Sequence, residues 1–278
     1  MNTRVVDPQT SAWEEASTHR TPGIDIKQLL QRDGEGRSFE FNVVRFGGED
    51  FWSPRHRHNF DQIRIGLEGV THYGPHKKLP ARTVGYYPEG TYYGPLSVDG
   101  GPSVQAILQF DGAGRGGYVN YVHLDKATEQ LKERGEFRKG YFHPSDGGKA
   151  VDGYQASWEL ATGRSMVYPE PRYDEAVYMH LDAFAWVGAP EGVRSKHLGS
   201  FGERGLRIES LLVPGGATFD LGTTGRTTVA LVVDGEISAD GATAGKYGAL
   251  LADDGSLTCA GVAGASELVV ITLPQFED

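Results

Sequence analysis

The segment Pro54–Gly69 reads PRHRHNFDQIRIGLEG and holds most of the side chains whose types and spacing could do chemistry. His56 and His58 are one residue apart, so on an extended strand, where successive side chains alternate, both imidazoles point the same way. On the next strand Gln62 and Arg64 share a face, while Ile63, Ile65 and Leu67 take the other. Two neutral imidazoles suit Fe, Mn, Co, Ni, Cu or Zn, and a glutamine carbonyl oxygen is an acceptable though weaker donor than a carboxylate. Arg64 is harder to accommodate, because a buried guanidinium without a partner is costly. A carboxylate or phosphate on a ligand would offset that cost, and so would a protein acid such as Asp61 or Glu68. Tyr73, Tyr86, Tyr87, Tyr92 and Tyr93 add phenols compatible with a cyclic or aromatic ligand, though tyrosine is also an ordinary strand residue. His72 and His76 flank a turn in THYGPHKK and read as exposed loop residues; the remaining histidines, His19 in the N-terminal arm among them, have no partner at ligand spacing.

The elements that must position these groups are short strands. From Phe39 onward, alternating segments such as FEFNVVRF, QIRIGLEG, VTHYG, RTVGYYP and SVQAILQF are separated by Gly, Pro and Asp, the pattern of half-buried strands in a sandwich or barrel. One stretch breaks the pattern: in VHLDKATEQLKERGEF, Leu124, Ala127 and Leu131 fall on one face and Gly135 follows a basic last turn, which predicts a helix. A Gly-rich, aromatic connection then leads to a second set of strands. The expected organisation is a loosely held N-terminal arm over 1–38, a first barrel with its helix over 39–151, and a second barrel over 152–278.

Composition excludes several classes of function. A formal net charge of −10 over 278 residues, without a Lys/Arg stripe, argues against nucleic acid as a partner. No apolar run nears the length of a membrane span and no signal-peptide core is present, so a soluble cytoplasmic protein is expected. The single cysteine, Cys259, agrees with a reducing compartment. No nucleophile elbow, phosphate loop or dinucleotide fingerprint occurs.

The chain also repeats itself. QIRIGLEG at 62–69 aligns with TVALVVDG at 228–235, and Gly90 aligns with Gly255, at offsets of 166 (228 − 62) and 165 (255 − 90). Two segments at nearly one offset indicate a duplication.

His56-Arg57-His58, three residues, Gln62 and then Gly69 resemble the first motif of the cupin superfamily, with glutamine in place of the usual glutamate. Pro88-Glu89-Gly90-Thr91-Tyr92-Tyr93 resembles the second motif, with Tyr93 where a histidine ligand is usual. The resemblance implies an all-β bicupin of two double-stranded β-helix (jelly-roll) barrels with a short connecting helix, commonly a homodimer. It implies one divalent transition metal, Fe, Mn, Co, Ni or Zn, in the first barrel, held by His56, His58, Gln62 and Tyr93 or water. Gly222, Thr224, Thr228 and Thr258, set opposite these positions in the second copy, would leave that barrel without metal. The function implied is a metalloenzyme of dioxygenase type acting on a small polar or anionic molecule. The catalytic residues implied are Tyr93 or Tyr92, donating a proton or hydrogen bond, and Arg64, orienting the ligand; Arg64, Tyr73 and Tyr86 would contact the substrate. A metal-assisted isomerase, dehydratase or lyase and a non-catalytic small-molecule-binding bicupin are the alternatives.

Overall fold

The computed structural model describes residues 4–16, 22–34, 38–47, 51–112, 117–188, 191–202 and 204–275; His19 lies outside them. The chain forms two compact units. The N-terminal unit comprises Trp13–Ile26 and Gln31–Tyr178, and the C-terminal unit comprises Met1–Ala12, Lys27–Leu30 and Met179–Asp278.

Both units have a core of antiparallel strands and are built alike. In the N-terminal unit the centre of a seven-stranded antiparallel sheet runs in the order Thr83–Tyr87, Asp61–Glu68, Ser103–Phe110, Phe39–Phe46, Ile24–Arg32. A four-stranded sheet is ordered Trp52–Ser53, Leu96–Val98, Val70–Tyr73, Lys78–Pro80. Val44, Phe46, Tyr87 and Ile107 of the larger sheet and Tyr73, Leu79 and Leu96 of the smaller one share a single apolar cluster, which holds the two layers together. The C-terminal unit repeats this with a six-stranded and a four-stranded sheet. Neither unit closes into the barrel expected from the sequence. The ladder is broken where the chain leaves the larger sheet for the smaller, at Gly69 and Gly235, both with left-handed φ (65° and 82°).

Register confirms the duplication and refines it. Asp61–Glu68 pairs with Ser103–Phe110 and Thr227–Asp234 with Ala265–Thr272, and each ladder skips one residue, Leu67 in the first and Val233 in the second. These residues, like Gly69 and Gly235, are 166 apart (233 − 67; 235 − 69). Leu96 pairs with Ser53 and Tyr73, whereas Cys259 pairs with Phe219 and Ala239. Because 219 − 53 and 239 − 73 are both 166, Leu96 corresponds to Cys259, an offset of 163 (259 − 96). Tyr87 corresponds to Ala252, an offset of 165 (252 − 87), so the second copy is two residues shorter in the loop before that strand and one residue shorter ahead of Ala249–Asp253. Counting back three residues, Ser256 stands opposite Tyr93, in place of the expected Thr258.

Three expectations about organisation change. Arg4–Val6 is not a loose arm: it pairs with Ala249–Leu251 in the C-terminal unit. The predicted helix is present as α1, Tyr121–Lys132, with Leu124, Ala127, Thr128 and Leu131 buried. A second helix, α2, Gly153–Thr162, follows within the segment read as a connection. Asp152, the expected boundary, is its N-cap, accepting from Gln155 N at 3.1 Å, and Gly163 ends it in a left-handed turn. Thr128 of α1 and Ser157 of α2 are hydrogen-bonded at 2.8 Å, so α2 packs with the first unit and the division falls near residue 178.

Candidate functional site

A cavity of about 140 Å³ opens in the N-terminal unit. At roughly 10–15 Å³ of such space per water, it has room for about ten waters or a small organic molecule. Its walls are apolar, with Ile24, Val44, Phe46, Phe51, Leu96 and Ile107 from the strands and their connections. Its polar groups are His56, His58, Arg64 and Gln109, and Tyr121, Leu124 and Asp125 of α1 with Tyr154 of α2 also line it. The cross-strand pairs Gln62 with Gln109 and Arg64 with Ile107 place the polar set in the middle of the larger sheet.

Arg64 is the centre of the polar group and is 6% exposed. Its Nε and Nη2 donate to Gln62 Oε1 at 3.2 and 3.0 Å, Nη1 donates to Tyr73 Oη at 3.1 Å, and Nη2 also reaches Tyr93 Oη at 3.3 Å. The rings of Tyr73, Tyr87 and Tyr93 surround the guanidinium, with centroids 5.6, 5.5 and 5.4 Å from its central carbon. Tyr73 in turn donates to Gln105 Oε1 at 2.9 Å, and Gln105 donates to Thr71 Oγ1 at 2.6 Å. Burial works against the Arg64 charge, but the phenols of Tyr73, Tyr93 and Tyr87 more than offset it, so the group stays above the ordinary arginine value and remains cationic. Every acceptor around it is neutral. Asp61 and Glu68, the acids considered from the sequence, do not bond it.

Asp61 is engaged elsewhere. It faces away from Gln62 and Arg64 by strand alternation and, with Glu89, grips Arg172: Nη2 meets both Asp61 oxygens at 2.9 Å and Nη1 meets Glu89 Oε1 at 2.9 Å. Tyr86 belongs to this cluster, donating to Asp61 Oδ2 at 3.2 Å and accepting from Arg172 at 3.0 Å, so the expected substrate contact is not at the Arg64 cage. Tyr87, its neighbour on the opposite face, is. Tyr92 is 44% exposed and lies beneath the guanidinium groups of Arg55 and Arg57, apart from the cavity. His72 forms a surface pair with Asp99 at 2.6 Å.

His56 and His58 sit in irregular chain, not on a strand; only His56 makes a bridge, to Tyr93. Their rings are nonetheless adjacent, with centroids 5.1 Å apart. His56 Nδ1 lies 2.6 Å from Pro54 O. A carbonyl only accepts, so Nδ1 carries the proton and Nε2 is the nitrogen that could hold a metal. The other two members of the expected donor set do not fit. Gln62 Oε1 already accepts from Arg64 and, at 3.4 Å, from Gln109, while Tyr93 Oη accepts from Gln62 Nε2 at 3.0 Å and faces Arg64. Among the described residues no group of three or more His, Cys, Asp or Glu is arranged to hold a metal ion. The site offers two imidazole donors beside a fixed positive charge, which is not the four-donor set that the sequence implies.

Asp125 and Glu40 are functional candidates that sequence reasoning missed. Burial, reinforced by the charges of Glu40 and Glu129, pushes the Asp125 carboxyl up to about 6. Glu40 is buried and accepts from Asn42 Nδ2, Tyr118 Oη and Tyr121 N at 2.9–3.0 Å. Asp125 was legible only as the polar edge of an amphipathic helix, and Glu40 only as an acidic residue in an alternating strand.

No family profile matches the chain, and no curated protein does. Solved structures do. A proposed dioxygenase from Nostoc punctiforme is 10% identical with a TM-score of 0.63 over 100% of this chain and 84% of that one. HEPD of Streptomyces albus, with 2-hydroxyethylphosphonate and Fe(II) bound, is 10% identical with a TM-score of 0.60 over 98% and 76%. Procruciferin, an 11S globulin of Brassica napus, is 10% identical with a TM-score of 0.56 over 98% and 84%. The chain therefore has the bicupin fold, a pair of jelly-roll units. Of the two, the N-terminal unit carries the charged cavity. No described helix is long and apolar enough to cross a membrane.

Proposed function

We propose that the protein binds a small organic anion in the cavity of its N-terminal unit, with the carboxylate or other anionic group received by Arg64 and the apolar body lying against Ile24, Phe46 and Phe51. The observation that carries this reading is a cationic side chain, almost wholly buried, that lines a cavity and bonds only neutral oxygens. The cage holds that charge with dipoles and ring faces and supplies no counter-charge, so an anionic ligand would be drawn to it. Of the alternatives raised by the sequence, the small-molecule-binding bicupin is therefore favoured over a metal-dependent oxygenase, isomerase or lyase.

Calorimetric titration with a panel of aliphatic and aromatic monocarboxylates tests the reading. At least one member should bind, and Arg64→Met should raise its Kd about 10-fold or more, the value of one lost charge-assisted hydrogen bond. A panel that binds equally well to Arg64→Met would refute it. Pairing of two chains, implied by the cupin resemblance, is measured by light scattering; a mass near 30.2 kDa would refute the homodimer.

A further inference from the structure

We infer that Arg64 takes the place of the metal in this unit: its guanidinium is the resident cation of the pocket, and its presence excludes a divalent ion from His56 and His58. The inference stands on the geometry of the cage and holds whichever anion occupies the cavity.

Three observations converge. First, the two non-imidazole groups that a metal would require are the two that Arg64 occupies: it donates twice to Gln62 Oε1 and contacts Tyr93 Oη. An amide oxygen accepting from a guanidinium and from Gln109 has no lone pair left for an ion. Second, the guanidinium is locked in place. Three phenol rings at nearly equal distance and the Tyr73–Gln105–Thr71 chain behind them hold it, so it cannot swing aside when an ion approaches. Gly85, paired across the sheet from Arg64, is part of this lock: a Cβ there would meet the Tyr87 ring at 2.7 Å, so only glycine lets that ring close over the cage. Third, a second positive charge within hydrogen-bonding distance of the same oxygens repels a divalent ion in a setting with little water to screen it. Arginine stays charged at every accessible pH, so this exclusion does not depend on conditions.

Arg64 thus makes a metal-free anion site from the scaffold of a metal site. Two imidazoles remain beside it, their rings stacked or edge-on against Phe60, Tyr93 and Tyr154.

The test is metal binding by full-length, tag-free protein, with Mn(II), Fe(II), Co(II), Ni(II) and Zn(II) each titrated alone by calorimetry and bound metal counted by mass spectrometry. The parent protein should bind none of them at the His pair at micromolar concentration. Tyr93→His, which supplies a third imidazole but keeps Arg64, should also bind none. Arg64→Met/Tyr93→His should gain a site about 100-fold tighter or more than either. It should be lost again when His56 and His58 are changed to Ala. Arg64→Lys/Tyr93→His retains the charge and should not gain the site; near-ultraviolet circular dichroism checks that each variant keeps its packing. If the Met variant does not fold, Arg64→Gln/Tyr93→His carries the same expectation. Stoichiometric metal in the parent, removed by His56→Ala/His58→Ala, would overturn the inference, as would a site in Tyr93→His as tight as in the double variant. These outcomes are separate from carboxylate binding by the parent, which is measured without metal.

Discussion

At corresponding positions the two units of this chain hold opposite interiors. Arg64, Tyr73, Tyr87 and Gln105 of the N-terminal unit correspond to Ala230, Ala239, Ala252 and Leu268 of the C-terminal unit, and Gly85 corresponds to Leu250. In the first unit a cation caged by phenols lines a cavity. In the second, alanines and leucines form part of a continuous apolar cluster, and Leu250 stands where Gly85 makes room for Tyr87. The ladders, the bulge and the left-handed glycine are the same in both. One backbone therefore tolerates either a polar or an apolar interior.

The strongest way to break this comparison is to exchange the interiors. Ala230 is fully buried in the apolar cluster, where no hydroxyl or amide cage awaits a guanidinium. Ala230→Arg should cost about 5 kcal/mol or more and unfold the C-terminal unit, as read by denaturant titration. A loss below about 1 kcal/mol would show that the cage is not what makes Arg64 tolerable.

A smaller effect is expected at the Asp61–Glu89–Arg172 cluster. Burial, opposed by Arg172, raises the Asp61 carboxyl from 3.8 to about 7. The folded state then binds this proton more tightly than the unfolded state does, so this group's contribution to stability falls as pH rises between about 4 and 7. Arg172→Met takes the shared ion-pair partner from two buried carboxylates and should cost about 3–5 kcal/mol at pH 8. The cost should shrink toward pH 5, where Asp61 takes up its proton; a pH-independent loss would mean that Arg172 acts by packing alone.

The smallest of the three concerns the shared framework. At Gly69 a Cβ would lie 2.7 Å from Pro102 O, and at Gly235 2.5 Å from Ser266 Oγ, both in left-handed backbone. Gly69→Ala and Gly235→Ala should each cost about 1–2 kcal/mol. Similar losses, measured by chemical denaturation, would sharpen the equivalence, whereas a loss in one unit only would show that the bulges are not equivalent.

Much of this architecture was legible in the residues. Strand alternation and the 166-residue offset between Gln62 and Thr228 specified two like all-β units, because a pleated strand with one buried face leaves a period-two signature wherever it occurs. The same alternation put Gln62 and Arg64 on one face with the imidazoles near them. It could not see loop length in three dimensions, so Thr258 was set opposite Tyr93 where register places Ser256. It missed α2, whose buried face is Tyr154 and Trp158, because an aromatic-rich segment with flanking glycines carries no clear helical period.

The sequence by itself determined the folds, their duplication and which few side chains could share a pocket, since backbone period and glycine placement are local properties. Only the tertiary structure decided what those side chains do. Arg64, Gln62 and Tyr93 are long or rotatable groups that choose partners from strands distant in the chain. Whether an amide oxygen faces an ion or a guanidinium depends on which neighbour lies within 3 Å of it, and no spacing rule encodes that.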